Sequence, residues 1–447
     1  MVRRAWCGVQ DRYGRLGDGI DAKEPEPFSY DRDYVVLLSD WTDENPTRVL
    51  AKLKKQSDYY NQHKRTVGDF IDDVSEMGWS AAVADRKMWA EMKMSPTDLA
   101  DVSGYTYLMN GQAPDGNWTG IFKPGEKIRL RFINASAMTY FDVRIPGLKM
   151  TVVAADGLHV KPVSVDEFRI AVAETYDVII EPDSEQAYTV FAQSMDRTGY
   201  ARGTLAVQEG LSAPVPSPDP RPLIAMGDMG MDHGSMGGMD HGNMAGMDHG
   251  SMAGMDHGSM QGGMAGMAGM AGAMQAHPAS ETNNPLVDMQ TMTPTHKLDD
   301  PGIGLRDNGR RVLTYSDLRS TFLDPDGREP SRTIELHLTG HMEKFSWSFD
   351  GIKFSDAEPL RLKYGERVRI TLVNDTMMTH PIHLHGMWSD LEDANGNFLV
   401  RKHTIDMPPG SKRSYRVTAD ALGRWAYHCH LLLHMEMGMF REVRVDE

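Results

Sequence analysis

Beyond residue 100 the chain alternates apolar and polar side chains in short runs broken by turn residues, the pattern of strands that lay one face on a core. KPGEKIRLRFINAS (123–136) and KYGERVRITLVNDT (363–376) carry this pattern in one register 240 residues apart, with Ile128, Leu130 and Phe132 in the places of Val368, Ile370 and Leu372. A repeat at that distance predicts two related β-sandwich domains, an all-β architecture. Upstream, YVVLLSDW from Tyr34 reads as a strand. Asn45-Pro46-Thr47 opens a charged, helix-favouring stretch to about Tyr60, and a second helix is expected over Ala81 to Met94.

The pattern fails in two places. Residues 1–22 have no apolar period and read as an irregular leader. From Ala213 to Pro294 the chain starts Pro-rich, then repeats MDHGSMGG, MDHGNMAG, MDHGSMAG and MDHGSMQG with a period of eight, and ends GMAGMAGMAGAM. Glycines and small residues leave no apolar face to bury, so a disordered, Met/His-rich insert is expected there. The domain reading is therefore a leader at 1–22, a first β-domain at 23–212, a linker at 213–300 and a second β-domain at 301–447.

Composition narrows the partners. The 447 residues carry a net charge of −16 with no basic stripe, which argues against nucleic acid. No stretch is long and apolar enough to span a bilayer, and the first twenty residues lack the apolar core of an export signal. Only Cys7 and Cys429 are present, so neither a disulfide framework nor a Cys-x-x-Cys site exists.

The two copies diverge where chemistry begins. Thr139 matches Thr379, but Tyr140, Val143 and Ile145 stand where His380, His383 and His385 stand, so the first copy reads as a metal-free scaffold. HPIHLHG (380–386) and HCHLLLHMEMGM (428–439) both end strands of the second domain. In an extended chain alternate side chains oppose, so His428 and His430 look one way and Cys429 the other, while His383 and His385 share a face. A thiolate, two imidazoles and a weak axial thioether form a blue-copper electron-transfer site, and Cys429, His380, His434 and Met439 supply that set. The remaining imidazoles, His383, His385, His428 and His430, face away and would bind further copper ions. Zinc is disfavoured, because one thiolate among so many imidazoles is not a common structural zinc set. His63, His159, His337, His341 and His403 lack ligand-spaced partners and read as surface or hydrogen-bonded residues; Trp347 and Trp425 read as core aromatics. In the insert, thioethers select Cu(I) and imidazole accepts both oxidation states, which favours copper collection over an inert linker.

HPIHLHG and HCH-x3-H-x4-M resemble the two C-terminal copper motifs of multicopper oxidases. EPEPFSYDRDYVVLLSDWTDENP, AADGLHVKPVSVDEFRIAVAETYDV and the Met/His repeat resemble the bacterial copper-resistance members of the CopA type. The resemblance implies two cupredoxin-like Greek-key sandwiches with a few helices, and a periplasmic oxidase of copper resistance. It makes His380, Cys429, His434 and Met439 the type 1 site, His383 a type 2 ligand, and His385, His428 and His430 type 3 ligands. The implied reaction takes electrons from Cu(I) or a phenol-like reductant and reduces O2 to water at a trinuclear cluster. Some relatives have an acidic residue directly after the type 1 histidine; here that place is Met435, and Glu436 is the candidate proton donor. Complete relatives also have an N-terminal domain whose His-x-His motifs supply four more cluster ligands, so this chain encodes half the cluster. A truncated or frameshifted start with true reading from near Asp21 is expected; the rival is a short form completed by another subunit. The alternative function is a copper-binding or electron-transfer protein with a type 1 site and a Cu(I)-sequestering repeat but no oxidase activity.

Overall fold

The computed structural model describes residues 26–231 and 274–447. The leader and the MDHG repeats, apart from Met231, lie outside these residues.

The repeat seen in the sequence is a repeat of topology. In the first domain one sheet runs Thr106–Met109, Arg32–Trp41, Ile128–Asn134, Thr175–Ile180, Met150–Ala155, Leu158–Val165. The second domain repeats that order with Ser346–Phe349, Thr333–His341, Arg367–Asn374, Lys412–Thr418, Ser389–Glu392 and Phe398–Lys402. The facing five-stranded sheets also match: Trp118–Ile121, Tyr200–Ala206, Tyr188–Ser194, Phe141–Arg144, Glu167–Ile170 against Leu360–Lys363, Phe440–Asp446, Gly423–Cys429, His380–Leu384, Thr404–Met407. The alternating residues that set the register pack between the sheets, and Ile128, Leu130, Phe132, Val368, Ile370 and Leu372 are all buried. Even the polar exits of the paired strands correspond. Asn134 Nδ2 donates to the Thr139 and Ile170 carbonyls, and Asn374 Nδ2 to those of Met378 and Met407.

The helix opened by Asn45 spans Pro46–Lys55, and the Asn45 side chain accepts from the Thr47 amide at 2.9 Å. A second lies at Trp79–Glu91, as the pattern predicts. Between them Val67–Met77 forms a helix that the apolar pattern missed; its signal is the capping box of Thr66 and Asp69.

The domains are joined by buried polar contacts. Lys402 lies fully buried with its Nζ 3.0 Å from Asp156 and 3.1 Å from Glu174 of the first domain. Tyr140 donates to Asp406 at 2.7 Å. The described flanks of the expected linker are packed rather than loose. Asp219 accepts from Gln193 and Arg144, Met229 is buried, and the Thr291 amide donates to Asp375. Composition hid these flanks because a few charged and apolar anchors, not a periodic face, hold them.

Candidate metal centre

The strands Gly423–Cys429 and His380–Leu384 pair antiparallel, with Ile382 opposite Cys429 and His383 opposite His428. Alternation then places Cys429 on the face of His380 and His428 on the face of His383. After Cys429 the chain turns into the short helix Leu432–Glu436, which brings His434 back over the thiol. The loop closes when Cys429 N donates to the Met439 carbonyl at 3.1 Å and Met439 N to that of His434 at 3.0 Å. Gly438 makes this turn at φ +119°, and a Cβ there would sit 2.6 Å from the Trp347 carbonyl oxygen, so only glycine fits.

The three donors converge in a fully buried pocket. His380 Nδ1 lies 3.6 Å and His434 Nδ1 3.8 Å from Cys429 Sγ, and the two Nδ1 atoms are 3.0 Å apart. Their outer nitrogens fix the protons. His434 Nε2 donates to Asp101 Oδ2 at 2.8 Å, and His380 Nε2 lies 2.7 Å from Thr376 Oγ1, whose own hydrogen is taken by Asn374 Oδ1 or the Met378 carbonyl. With those protons outside, both rings turn Nδ1 lone pairs toward the thiol and toward one another, where a cation could take them together. This donor set fits copper, and Met439, fully buried, ends the loop that carries His434. Burial pushes the Cys429 thiol well up and His380 well down, so a metal must displace the thiol proton but meets a neutral imidazole.

On the opposite face His383, His385, His428 and His430 form a second group. The rings of His383 and His385 are 4.6 Å apart, His385 and His428 5.2 Å, and His428 and His430 5.5 Å. His383 Nδ1 donates to the His403 carbonyl at 2.6 Å and His428 Nδ1 to that of Cys429 at 2.9 Å, the outer contacts that orient metal-binding imidazoles. His385 Nε2 and His428 Nε2 face each other at 3.1 Å, and His430 Nδ1 is buried with no hydrogen-bond partner. Burial holds His383 down to about 3 and His428 to about 4, so the rings offer lone pairs at neutral pH. His385 itself is exposed.

The pattern missed Asp101, 333 residues away from His434, and the contact that Trp347 makes, its ring stacked on His434 with centroids 3.9 Å apart. The first domain also holds the His434 loop. Asp40 accepts from the amides of Ala137 and Met138, and these residues receive the Leu432 amide on a carbonyl and the Leu433 amide on the Met138 sulfur. A cavity walled by Leu99, Asp101, Met138, Tyr140, Met378 and Leu431 reaches the Asp101 carboxylate. Glu436, by contrast, is exposed at the end of its helix, with no hydrogen bond or ion pair to hold it. Trp425 is half-buried, donates to the Ala421 carbonyl, and lies where a side chain on Gly386 would clash.

The multicopper oxidase family matches this chain over residues 32–210 and again over 327–447. Copper resistance protein A of Escherichia coli is 73% identical over 461 residues, covering 98% of this chain and 76% of that protein. A copper resistance protein A homolog of Pseudomonas syringae pv. tomato is 75% identical over 446 residues, covering 98% of this chain and 75% of its own length. The chain belongs to the bacterial copper-resistance multicopper oxidases. It is thus a copper-binding oxidoreductase by family. Among solved structures, the multicopper oxidase Fet3p aligns over 94% of this chain and 67% of its own at 15% identity with a TM-score of 0.56. A laccase of Botrytis aclada aligns over 94% and 65% with a TM-score of 0.54. At such identity these two speak for the fold alone. No helix among the described residues is long and apolar enough to cross a membrane.

Proposed function

We propose that this multicopper oxidase takes single electrons from Cu(I) or a phenol-like reductant at a type 1 site made by His380, Cys429, His434 and Met439. His383 would be a type 2 ligand and His385, His428 and His430 type 3 ligands of a cluster where O2 is reduced to water. Bound copper supplies one-electron redox chemistry, four oxidations matching the four electrons that turn O2 and four protons into two waters. The observation that carries this reading is the convergence of two imidazole nitrogens and one thiol in a fully buried pocket.

The chain's own residues set the terms. Asp101 fixes the His434 tautomer and itself lines the neighbouring cavity, where its carboxylate suits a cationic or hydrogen-bonding reductant. Trp347 and Phe345 pack on His434 and exclude water. Cys429 lies between His428 and His430, so one peptide unit on each side joins the thiol face to the imidazole face. The exposed Glu436 receives no proton-transfer role in this reading. The domains at 23–212 and 301–447 would be the scaffold and copper-binding units, with the Met/His insert gathering Cu(I), and the compartment would be the periplasm.

A second reading keeps the type 1 site and the sequestering repeat without oxidase activity, and the exposure of His385 at the edge of the second imidazole group favours it. Copper content, blue absorbance and oxygen consumption, measured together on the copper-loaded chain, separate the two. A blue band lost in Cys429→Ser with oxygen uptake supports the oxidase; a blue band without uptake supports the second reading; a colourless copper-loaded protein overturns both. Deleting residues 232–273, which spares the packed Met226–Met229 turn, is expected to weaken Cu(I) uptake and leave the blue band intact.

A further inference from the structure

A second cluster of ligand-bearing side chains lies in the copper-binding domain, outside both histidine groups. His277, Glu281, His337 and Asp375 place one nitrogen or oxygen each within 4.8 Å of one another. Three separate pieces of chain supply them: the segment 277–281 that follows the Met/His insert, the strand Thr333–His341, and the turn after Arg367–Asn374. Glu281, His337 and Asp375 side chains are 0%, 1% and 0% exposed, and that of His277 is 15% exposed. The composition around His277 and the isolated position of His337 concealed the cluster from the sequence, where His337 reads as a hydrogen-bonded residue.

The contacts have the form of a ligand shell. His277 Nδ1 lies 3.2 Å from Glu281 Oε2 and 3.2 Å from Asp375 Oδ2, and His337 Nδ1 lies 2.6 Å from Asp375 Oδ2 and 3.7 Å from Glu281 Oε1. Four donors about a first-row ion in a tetrahedral site stand about 3.3 Å from one another, and these distances bracket that value. Each ring's outer nitrogen is already engaged: His277 Nε2 with the Thr291 carbonyl at 3.0 Å, His337 Nε2 with Glu335 at 3.4 Å. Such outer contacts fix the tautomer that turns Nδ1 inward. The carboxylates are steadied from behind, Asp375 Oδ1 by the Thr291 amide at 2.7 Å and Glu281 Oε2 by Gln290 at 2.9 Å.

An independent observation points to an occupant. Glu281 Oε1 is buried and accepts no hydrogen bond. A buried carboxylate oxygen without a donor has lost its hydration and gained no partner in return. The ring contacts of His277 and His337 fall on Asp375 Oδ2 and Glu281 Oε2. They leave Oε1 unserved, whereas an ion at the centre would take it.

We propose that His277, Glu281, His337 and Asp375 form a mononuclear site for a divalent first-row metal ion, distinct from the His380–Cys429–His434 pocket. Two carboxylates cancel the charge of such an ion and two imidazoles complete its shell, and the Irving–Williams order favours Cu(II) among divalent candidates. The ion would tie the end of the insert to two strands of the sandwich.

Co(II) alone is the probe, added to the full chain and to His277→Ala and Glu281→Gln. Each variant is expected to bind one Co(II) fewer per chain, or to bind it more than about a hundredfold more weakly, with its near-ultraviolet circular dichroism unchanged. The difference spectrum should show visible ligand-field bands without a thiolate charge-transfer band. Equal stoichiometry and affinity in the folded variants would mean that the cluster is only an ion-pair network and overturn the proposal. Should either variant unfold, X-ray absorption of the wild-type chain with one equivalent of Zn(II) decides: a shell of nitrogen and oxygen with two imidazoles supports the site, and a sulfur-containing shell sinks it.

Discussion

At the scale of single residues, the His380–Cys429–His434 pocket depends on side chains that merely touch its members. His434 Nδ1 is useful only because Asp101 holds the proton on Nε2, and the stacked Trp347 holds the ring plane. Replacing a carboxylate that orients a metal-bound imidazole typically costs 10–100-fold in affinity or activity. Asp101→Ala is therefore expected to lower kcat/KM for a small reductant by about 10–100-fold, with Asp101→Asn recovering much of it where the amide oxygen accepts the same hydrogen bond. Steady-state rates and copper affinity measured on both variants check this; unchanged values in Asp101→Ala would remove the residue from the site. The histidines and Cys429 were legible in the sequence because strand alternation ties spacing to face. Asp101 was not, because its contact is made by tertiary packing across 333 residues and no local pattern records it.

Among elements, strands were more legible than helices and loops. Alternation identifies a half-buried strand directly, and the paired copies reinforced each other in the sequence. The helix Val67–Met77 has no buried residue, so its apolar period is uninformative and only the Thr66–Asp69 cap announces it. The packed flanks 213–231 and 274–300 carry no periodic apolar face for a related reason: anchors such as Asp219 and Met229 lie in Pro- and Gly-rich runs. The loop from His434 to Met439 shows what a local motif can still dictate. Gly438 sits at φ +119° against the Trp347 carbonyl, so Gly438→Ala must either strain the backbone or move the loop. Strain of this kind costs on the order of 1–3 kcal/mol, and it falls on the turn that carries His434 and Met439. The variant is expected to lose blue absorbance or shift its band, with a urea midpoint lowered by no more than that strain accounts for. Absorption and urea titration of the same sample test this; an unaltered band would show that the turn does not control the pocket.

For the whole molecule, the buried ion pairs that join the segments matter more than the count of surface ones. Lys402 reaches from the second domain to Asp156 and Glu174 of the first, and Asp142 binds Arg169 at 2.7 Å and Arg197 at 2.6 Å. Those two arginines go on to the carbonyls of Ile303 and Gly304, so Asp142 fastens the approach to the second domain onto the first. Burial alone would raise the Asp142 carboxyl, but the two guanidiniums outweigh it and hold the group below the usual carboxylate range. A depressed folded value means that the stabilisation is fully present above the unfolded value of about 3.9 and is lost as pH falls through the folded one. Asp142→Asn leaves both arginines short of a counter-charge, and breaking a buried pair costs about 3–5 kcal/mol. The variant is therefore expected to unfold at lower urea at pH 7, with a gap to wild type that stays constant down to about pH 4 and narrows below it. A gap that instead widened with acid would mean that Asp142 is already protonated in the folded chain, and the link between the domains would have to be sought in Lys402.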